Sequence, residues 1–208
     1  MKEGGKLFIF EGPDGIGKST LVQNTSDFLR ASKIPFISLT SPGKLPGTIG
    51  QLVDRIHHTP AEFQIEAITP LALQALHVAA HLDSIETTIK PALADGTTVL
   101  LDRTWWSTLV YGRVAEVNET VLGKLIEAEE LCWDEITPTV VFLIKRASAF
   151  RAEHNEETFN ILSRLYENVA TRQASKHPVV RISNDALQVS TDLIRQSMLS
   201  ALNIPHSK

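Results

Sequence analysis

Leu7-Phe8-Ile9-Phe10-Glu11-Gly12-Pro13-Asp14-Gly15-Ile16-Gly17-Lys18-Ser19-Thr20 is a short apolar run that breaks into a glycine-rich bend and continues into a helix-forming segment. Leu7 to Phe10 is β-branched or aromatic and too short for a helix, so it reads as a strand. Gly12, Gly17, Lys18 and Ser19 then satisfy the spacing G-x-x-x-x-G-K-[ST]. Its glycines let the chain wrap closely and turn amide N–H groups toward a phosphate. The helix that starts at the same place adds its positive end. In such a loop Lys18 reaches the β- and γ-phosphates, and the Ser19 hydroxyl holds Mg²⁺. Gly12, Pro13, Asp14, Gly15, Ile16, Gly17, Lys18, Ser19 and Thr20 are therefore the predicted ATP-binding stretch. A chance glycine-rich turn is the alternative, and the strand before and helix after argue against it.

Working outward, four more apolar runs read as strands: Phe36–Leu39, Thr98–Leu101, Thr139–Ile144 and Val179–Ile182. The third and fourth strands of the five are almost continuously apolar, which predicts burial on both faces, as in a parallel sheet. Longer amphipathic stretches, Lys18–Ala31, Pro70–Leu93, Glu119–Leu131 and Glu156–Ala174, alternate with them as helices. Strand–helix alternation predicts an α/β fold with a five-stranded parallel sheet flanked by helices. Ligands in such sheets bind beyond the carboxyl ends of the strands. No repeat or linker interrupts the chain, so residues 1–208 read as one domain.

Composition narrows the function. The 208 residues carry 20 basic and 24 acidic side chains, a net charge of −4, which offers no basic footprint for nucleic acid or an anionic membrane. Hydrophobic residues at 43% suffice for a full core. One cysteine, Cys132, excludes an internal disulfide and a multi-cysteine metal site. With no apolar run near the ~20 residues of a spanning helix, and no apolar leader at the start, a cytoplasmic location is expected. No Asn-Lys-x-Asp stretch is present to read a guanine base. A compact chain with an extra carboxylate in the loop, Asp14, points to a small-molecule kinase.

Phe10 to Thr20 resembles the Phe-Glu-Gly-x-Asp-Gly-x-Gly-Lys-[Ser/Thr]-Thr loop of thymidylate kinases, a family of nucleoside-monophosphate kinases with the P-loop NTPase fold. Ile89–Leu93 followed by Val99–Arg103 is similar to that family's helix end and Asp-Arg strand end. Ser107, Thr108 and Tyr111 match its continuation, and Glu157–Phe159 with the helix through Tyr166 is similar to the segment after its lid. The resemblance implies ATP as donor, a pyrimidine deoxynucleoside monophosphate as acceptor, Mg²⁺, and a homodimer formed through the helices after Pro70 and Ser107. It also implies that Asp14 contacts the sugar 3′-hydroxyl. The residue chemistry agrees: Asp102, at a buried strand end, is placed to hold magnesium through water, and the Arg103 guanidinium suits an acceptor phosphate. Plainer readings stay open, an ion pair at the sheet edge for Asp102 and Arg103, and a helix cap for Asp14. A short lid is expected at about 146–157, and Gly15 in the loop implies a catalytic arginine from it, Arg151 in preference to Arg146. Lys18, Asp14, Arg103 and Arg151 are the predicted catalytic residues.

The acceptor side departs from the family pattern. Ser41-Pro42-Gly43-Lys44 stands where a Phe-Pro-x-Arg-like stretch or its Glu-Pro-Gly variant is usual. His77 falls where an aromatic stacks on the base, His81 where an arginine reads its edge, and Gly112 where glutamine is frequent. Gln74, His77, His81, Ser84 and Thr88 form a polar stripe on a largely apolar helix, which reads as either a solvated face or a binding surface. Zinc at His77 and His81 has the right spacing and no third ligand. Trp106 is expected to line the base pocket and Tyr111 to lie under the sugar. The acceptor-binding set is thus Asp14, Pro42, Lys44, His77, His81, Arg103, Trp106, Ser107, Thr108 and Tyr111. The function expected is phosphorylation of dTMP or a related pyrimidine deoxynucleotide. A kinase of a modified nucleotide, a deoxynucleoside kinase using Glu11 or Asp14 as base, and a non-catalytic ATP-binding switch are the rivals.

Overall fold

Five strands follow the five apolar runs to within about a residue: β1 (Leu7–Glu11), β2 (Phe36–Thr40), β3 (Thr98–Asp102), β4 (Val140–Lys145) and β5 (Val179–Ser183). The computed structural model describes residues 4–133, 136–148 and 155–204. All five strands pair in parallel, in the order β2-β3-β1-β4-β5. The helices are α1 (Lys18–Ala31), α2 (Ile49–His58), α3 (Pro70–Ser84), α4 (Lys90–Ala94), α5 (Trp105–Val114), α6 (Glu119–Trp133), α7 (Glu156–Gln173) and α8 (Leu187–Ala201). The sequence reading named no helix at α2 or α8.

Alternation along the central strands sorts side chains into two cores. Leu7, Ile9, Val99, Leu101, Val141 and Leu143 pack with α5, α6 and α7 on one face. Phe8, Phe10, Leu100, Phe142 and Ile144 pack with α1 and α8 on the other. Edge strands β2 and β5 are only partly buried, as strands with one neighbour are.

The stretch 70–93 is helical but not uniform. Between α3 and α4 the turn Ile85–Ile89 widens, and the Lys90 N–H reaches back five residues to the Ile85 carbonyl. Pro91 explains it: proline has no N–H and its ring crowds the carbonyl four residues earlier, which a π turn accommodates. Thr48, Thr69 and Thr104 cap α2, α3 and α5 by accepting from backbone N–H groups. Helix α1 differs. Its N-cap is Gly17, in the left-handed region, with no side-chain cap, so its first N–H groups stay open to a ligand.

The order of strands reverses at β1, whose carboxyl end lies between those of β3 and β4. That is the switch point where an open α/β sheet holds ligands. The register sets Phe10 level with Asp102, and Thr40 level with Asp102 as well.

Candidate active site

A cleft of about 840 Å³ opens at this switch point, between the bend after β1, the ends of β2 and β3, and helices α2, α3 and α5. Asp14, Gly15, Gly17, Lys18, Ser19 and Thr20 line one end. Gly12 and Ile16 shape the loop rather than its lining. Gly12 sits at φ +140°, where an added Cβ would fall 2.4 Å from the Ile144 carbonyl oxygen, and Ile16 is fully buried in the core. Asn184, after β5, donates to the Ile16 carbonyl at 2.7 Å and pins the loop from behind. Arg146 in turn donates to the Asn184 carbonyl at 3.0 Å. Gly12→Ala is expected to cost about 3 kcal/mol, measured by urea denaturation, because both the backbone angle and the space forbid a methyl group. A loss under 1 kcal/mol would contradict this close approach.

Lys18 is buried, and its ammonium nitrogen donates to the Pro13 carbonyl at 2.5 Å. Burial, reinforced by the Arg103 charge, pushes the amine down to about 7. The Ser19 hydroxyl lies 3.5 Å from Asp102 Oδ2, while Asp102 Oδ1 is buried without a protein partner.

Arg103 ties the loop to the sheet. It has φ +78°, a strained value for a residue with a side chain. Its Nη1 donates to the Gly12 carbonyl, Ser107 Oγ and the Tyr166 hydroxyl at 3.2, 2.8 and 2.9 Å, and Nη2 donates to Asp14 Oδ1 at 2.5 Å. The Tyr111 hydroxyl donates to Asp14 Oδ2 at 2.6 Å. Burial would raise the Asp14 carboxyl, but Arg103, Tyr111 and Lys18 outweigh it and hold it below the usual range. Asp14 thus serves the Arg103 network and is not the cap of α1. Arg103 pairs with Asp14, not with Asp102 as an edge ion pair would require.

Behind Arg103 lies Glu11, wholly buried. Thr104 N, Thr104 Oγ1 and Ser107 Oγ donate to its carboxylate at 2.6, 2.7 and 2.8 Å. Burial raises its carboxyl above the ordinary value against the pull of Arg103. Glu11, weighed from the sequence only as a base for a nucleoside hydroxyl, follows Leu7 and Ile9 on the same strand face, toward α5. With both carboxylate oxygens accepting hydrogen bonds, and no place in the cleft lining, it is not available as a base for a hydroxyl acceptor. Tyr166, which completes the network, was read only as part of a helix.

At the other end the cleft is lined by Pro42, Lys44, Gln74, His77, His81, Ser107, Thr108 and Tyr111. Ser41–Pro42 is cis. The upper part of the predicted stripe is therefore a lining surface, while Ser84 and Thr88 face a separate cavity of about 140 Å³. His57 and His58, on the unanticipated α2, join it. The His57 and His77 rings meet edge to face at 5.2 Å. Burial, with His81, His57 and His58 nearby, lowers His77 to about 3, so its ring is neutral and free to stack. Among the described residues, no group of three or more His, Cys, Asp and Glu side chains is arranged to hold a metal ion.

Trp106 is a correction. It is 2% exposed, packs in the core and lies near the His177 ring, and it does not line the cleft. Successive helical residues diverge by about 100°, so once α5 starts at Trp105 the face carrying Ser107, Thr108 and Tyr111 turns Trp106 inward. Arg151 and half of the expected lid, residues 149–154, lie outside the described residues.

A phosphate loop facing a separate cationic pocket across one cleft defines a phosphotransferase of the P-loop class. The thymidylate kinase family model matches residues 10–187. A thymidylate kinase of Symbiobacterium thermophilum is 30% identical over 197 residues, covering 89% of each chain. One of Chlorobium chlorochromatii is 39% identical over 139 residues, 66% of this chain and 59% of that protein. The crystal structure of thymidylate kinase from Ehrlichia chaffeensis superimposes with a TM-score of 0.73 over 94% of this chain and 99% of that one, a likeness of fold at 16% identity. The chain belongs to the thymidylate kinase family. Among the described residues no helix is long and apolar enough to cross a membrane.

Proposed function

We propose that this protein transfers the γ-phosphoryl group of ATP to dTMP or a closely related pyrimidine deoxynucleoside monophosphate. The observation that carries the reading is the Arg103 fork, which bonds the phosphate loop at Gly12 and Asp14 and reaches Ser107 on the α5 face that lines the acceptor end of the cleft. Transfer between two polyanions depends on alignment and cationic neutralisation. Lys18 and the open N–H groups of α1 hold the donor tail, and Arg103 aligns the acceptor phosphate. His77 stacks on the base, and Tyr111 supports the sugar beside Asp14. Arg151 is assigned the lid role, neutralising the group in flight.

Ser19 and Asp102 fit Mg²⁺: the orphaned Asp102 Oδ1 suits the water shell that magnesium keeps. When bound, the ion neutralises charge on the donor phosphates. The engaged state of Glu11 disfavours a nucleoside acceptor. A coupled assay over nucleosides and monophosphates with Mg-ATP tests the proposal, with dTMP the best acceptor. Turnover of nucleosides alone, or ATP binding without any transfer, would overturn it.

Lys18 supplies a second check. Its amine, held near 7 in the free protein, is mostly neutral at pH 8. A bound triphosphate favours the ammonium, so ATP binding takes up close to one proton at pH 8 and little at pH 6. Calorimetry in buffers of different ionisation enthalpy reads this, and Lys18→Met abolishes it; zero uptake at pH 8 contradicts it. By the same linkage the free chain binds fewer protons than the unfolded one between pH 7 and about 10.5, so this group adds stability as pH rises through that window.

A further inference from the structure

Asn184 follows β5 and is 2% exposed, yet its amide is only half used. Nδ2 donates to the Ile16 carbonyl at 2.7 Å, while Oδ1 is buried with no partner. A carbonyl only accepts, so this contact fixes which end of the amide is the nitrogen. Burying Oδ1 unpaired is costly, and a leucine of similar size would avoid it. What Asn184 supplies in return is a donor for Ile16, which is itself fully enclosed. Its own backbone is held firmly: its N–H donates to the Lys145 carbonyl at 2.8 Å, and its carbonyl accepts from Arg146 at 3.0 Å.

The Ile16 carbonyl belongs to the same planar unit as the Gly17 N–H, and in a trans peptide the two point opposite ways. Holding the carbonyl back toward Asn184 therefore turns the Gly17 N–H forward, to the side where Gly17 lines the cleft. Glycine leaves this orientation open. Gly17 has φ +85°, and glycine takes negative values as readily, so the 16–17 peptide can turn over without moving the buried Ile16 side chain. Turned over, it would present a carbonyl oxygen to a triphosphate in place of a donor. We propose that Asn184 is a positioning residue for the nucleotide donor, holding the 16–17 peptide with its N–H toward the phosphates. This rests on the loop being the ATP site proposed above.

Calorimetric titration of Mg-ATP, and separately of dTMP, into each protein tests it without turnover. Asn184→Leu removes the donor and adds no charge, so it is expected to raise the ATP Kd about tenfold, the scale of one lost hydrogen bond to a charged group. The dTMP Kd stays within twofold. Asn184→Asp adds a pH readout, because a carboxylate repels the Ile16 carbonyl whereas a protonated carboxyl donates to it. Relative to the unaltered protein at the same pH, its ATP Kd is expected to be about thirtyfold higher at pH 8.5 and under about fivefold higher at pH 5.5. In the unaltered protein the Gly17 amide proton moves downfield on adding Mg-ATP. An unchanged ATP Kd in Asn184→Leu, a ratio for Asn184→Asp that is flat with pH, or an unmoved Gly17 amide overturns the proposal. So does an equal loss for ATP and dTMP with a lowered Tm, which marks general support of the fold. If Asn184→Leu does not fold, Asn184→Asp and the Gly17 amide decide. An unaltered protein that binds no ATP defeats the reading of the loop itself, an outcome distinct from binding indifferent to Asn184.

Discussion

Lys18→Ala is expected to lower kcat by about 10³-fold, the scale on which removal of one preorganised cationic or hydrogen-bonding group acts in phosphoryl or acyl transfer. The amine is buried at the entrance to α1 and donates to Pro13. A triphosphate tail competes for it at that position. The free protein gains nothing from the charge, since burial already drives the amine toward neutrality. Thermal stability should therefore hold or rise slightly in the variant, a separation of activity from stability typical of functional groups held at a cost. Steady-state assays and thermal unfolding on one preparation check both halves. A kcat within tenfold of the unaltered enzyme would remove Lys18 from the chemistry.

Arg103→Ala should reduce kcat/KM for the acceptor by about 10³-fold and also lower stability by about 3 kcal/mol, so its two effects move together. One guanidinium serves Gly12, Ser107, Tyr166 and Asp14. Its removal leaves Asp14 without its ion-pair partner, a modest loss because that side chain is 59% exposed and keeps Tyr111 and Lys18 beside it. The larger loss falls on Glu11, which is fully buried and has Arg103 as a nearby positive charge. Arg103→Lys is expected to recover little, because a point charge cannot bridge four acceptors in different directions. The KM for ATP should change least. Unaltered acceptor kinetics in Arg103→Ala would sink both the clamp and the network.

How far the sequence could be read depended on how far apart the interacting residues lie. The phosphate loop is contiguous, and its function rests on backbone N–H groups placed by glycines, so the spacing of Gly12, Gly17, Lys18 and Ser19 carries nearly all of it. Periodicity likewise exposed the strands and the stripe through Gln74, His77 and His81. It failed for Trp106, because neighbours on a helix face different ways and the start of α5 was not known to the residue. Glu129, whose Oε2 lies 2.8 Å from His81 Nδ1, escaped notice among Glu127, Glu129 and Glu130, although its place in the buried stripe of α6 with Leu122 and Ile126 marks it.

The sequence by itself determined the alternating strands and helices, the bend that grips phosphate and the acidic–basic pair at the end of β3. Each of these depends on propensity and spacing within about twenty residues. Tertiary structure alone decided that Arg103 pairs with Asp14, that Glu11 is occupied by Thr104 and Ser107, that α2 brings His57 to His77, and that Glu129 meets His81. These partners are separated by up to 96 residues in the chain. Parallel pairing and helix packing bring them together, and burial then sets their protonation and strength, because charge and hydrogen bonding count for most where water is excluded.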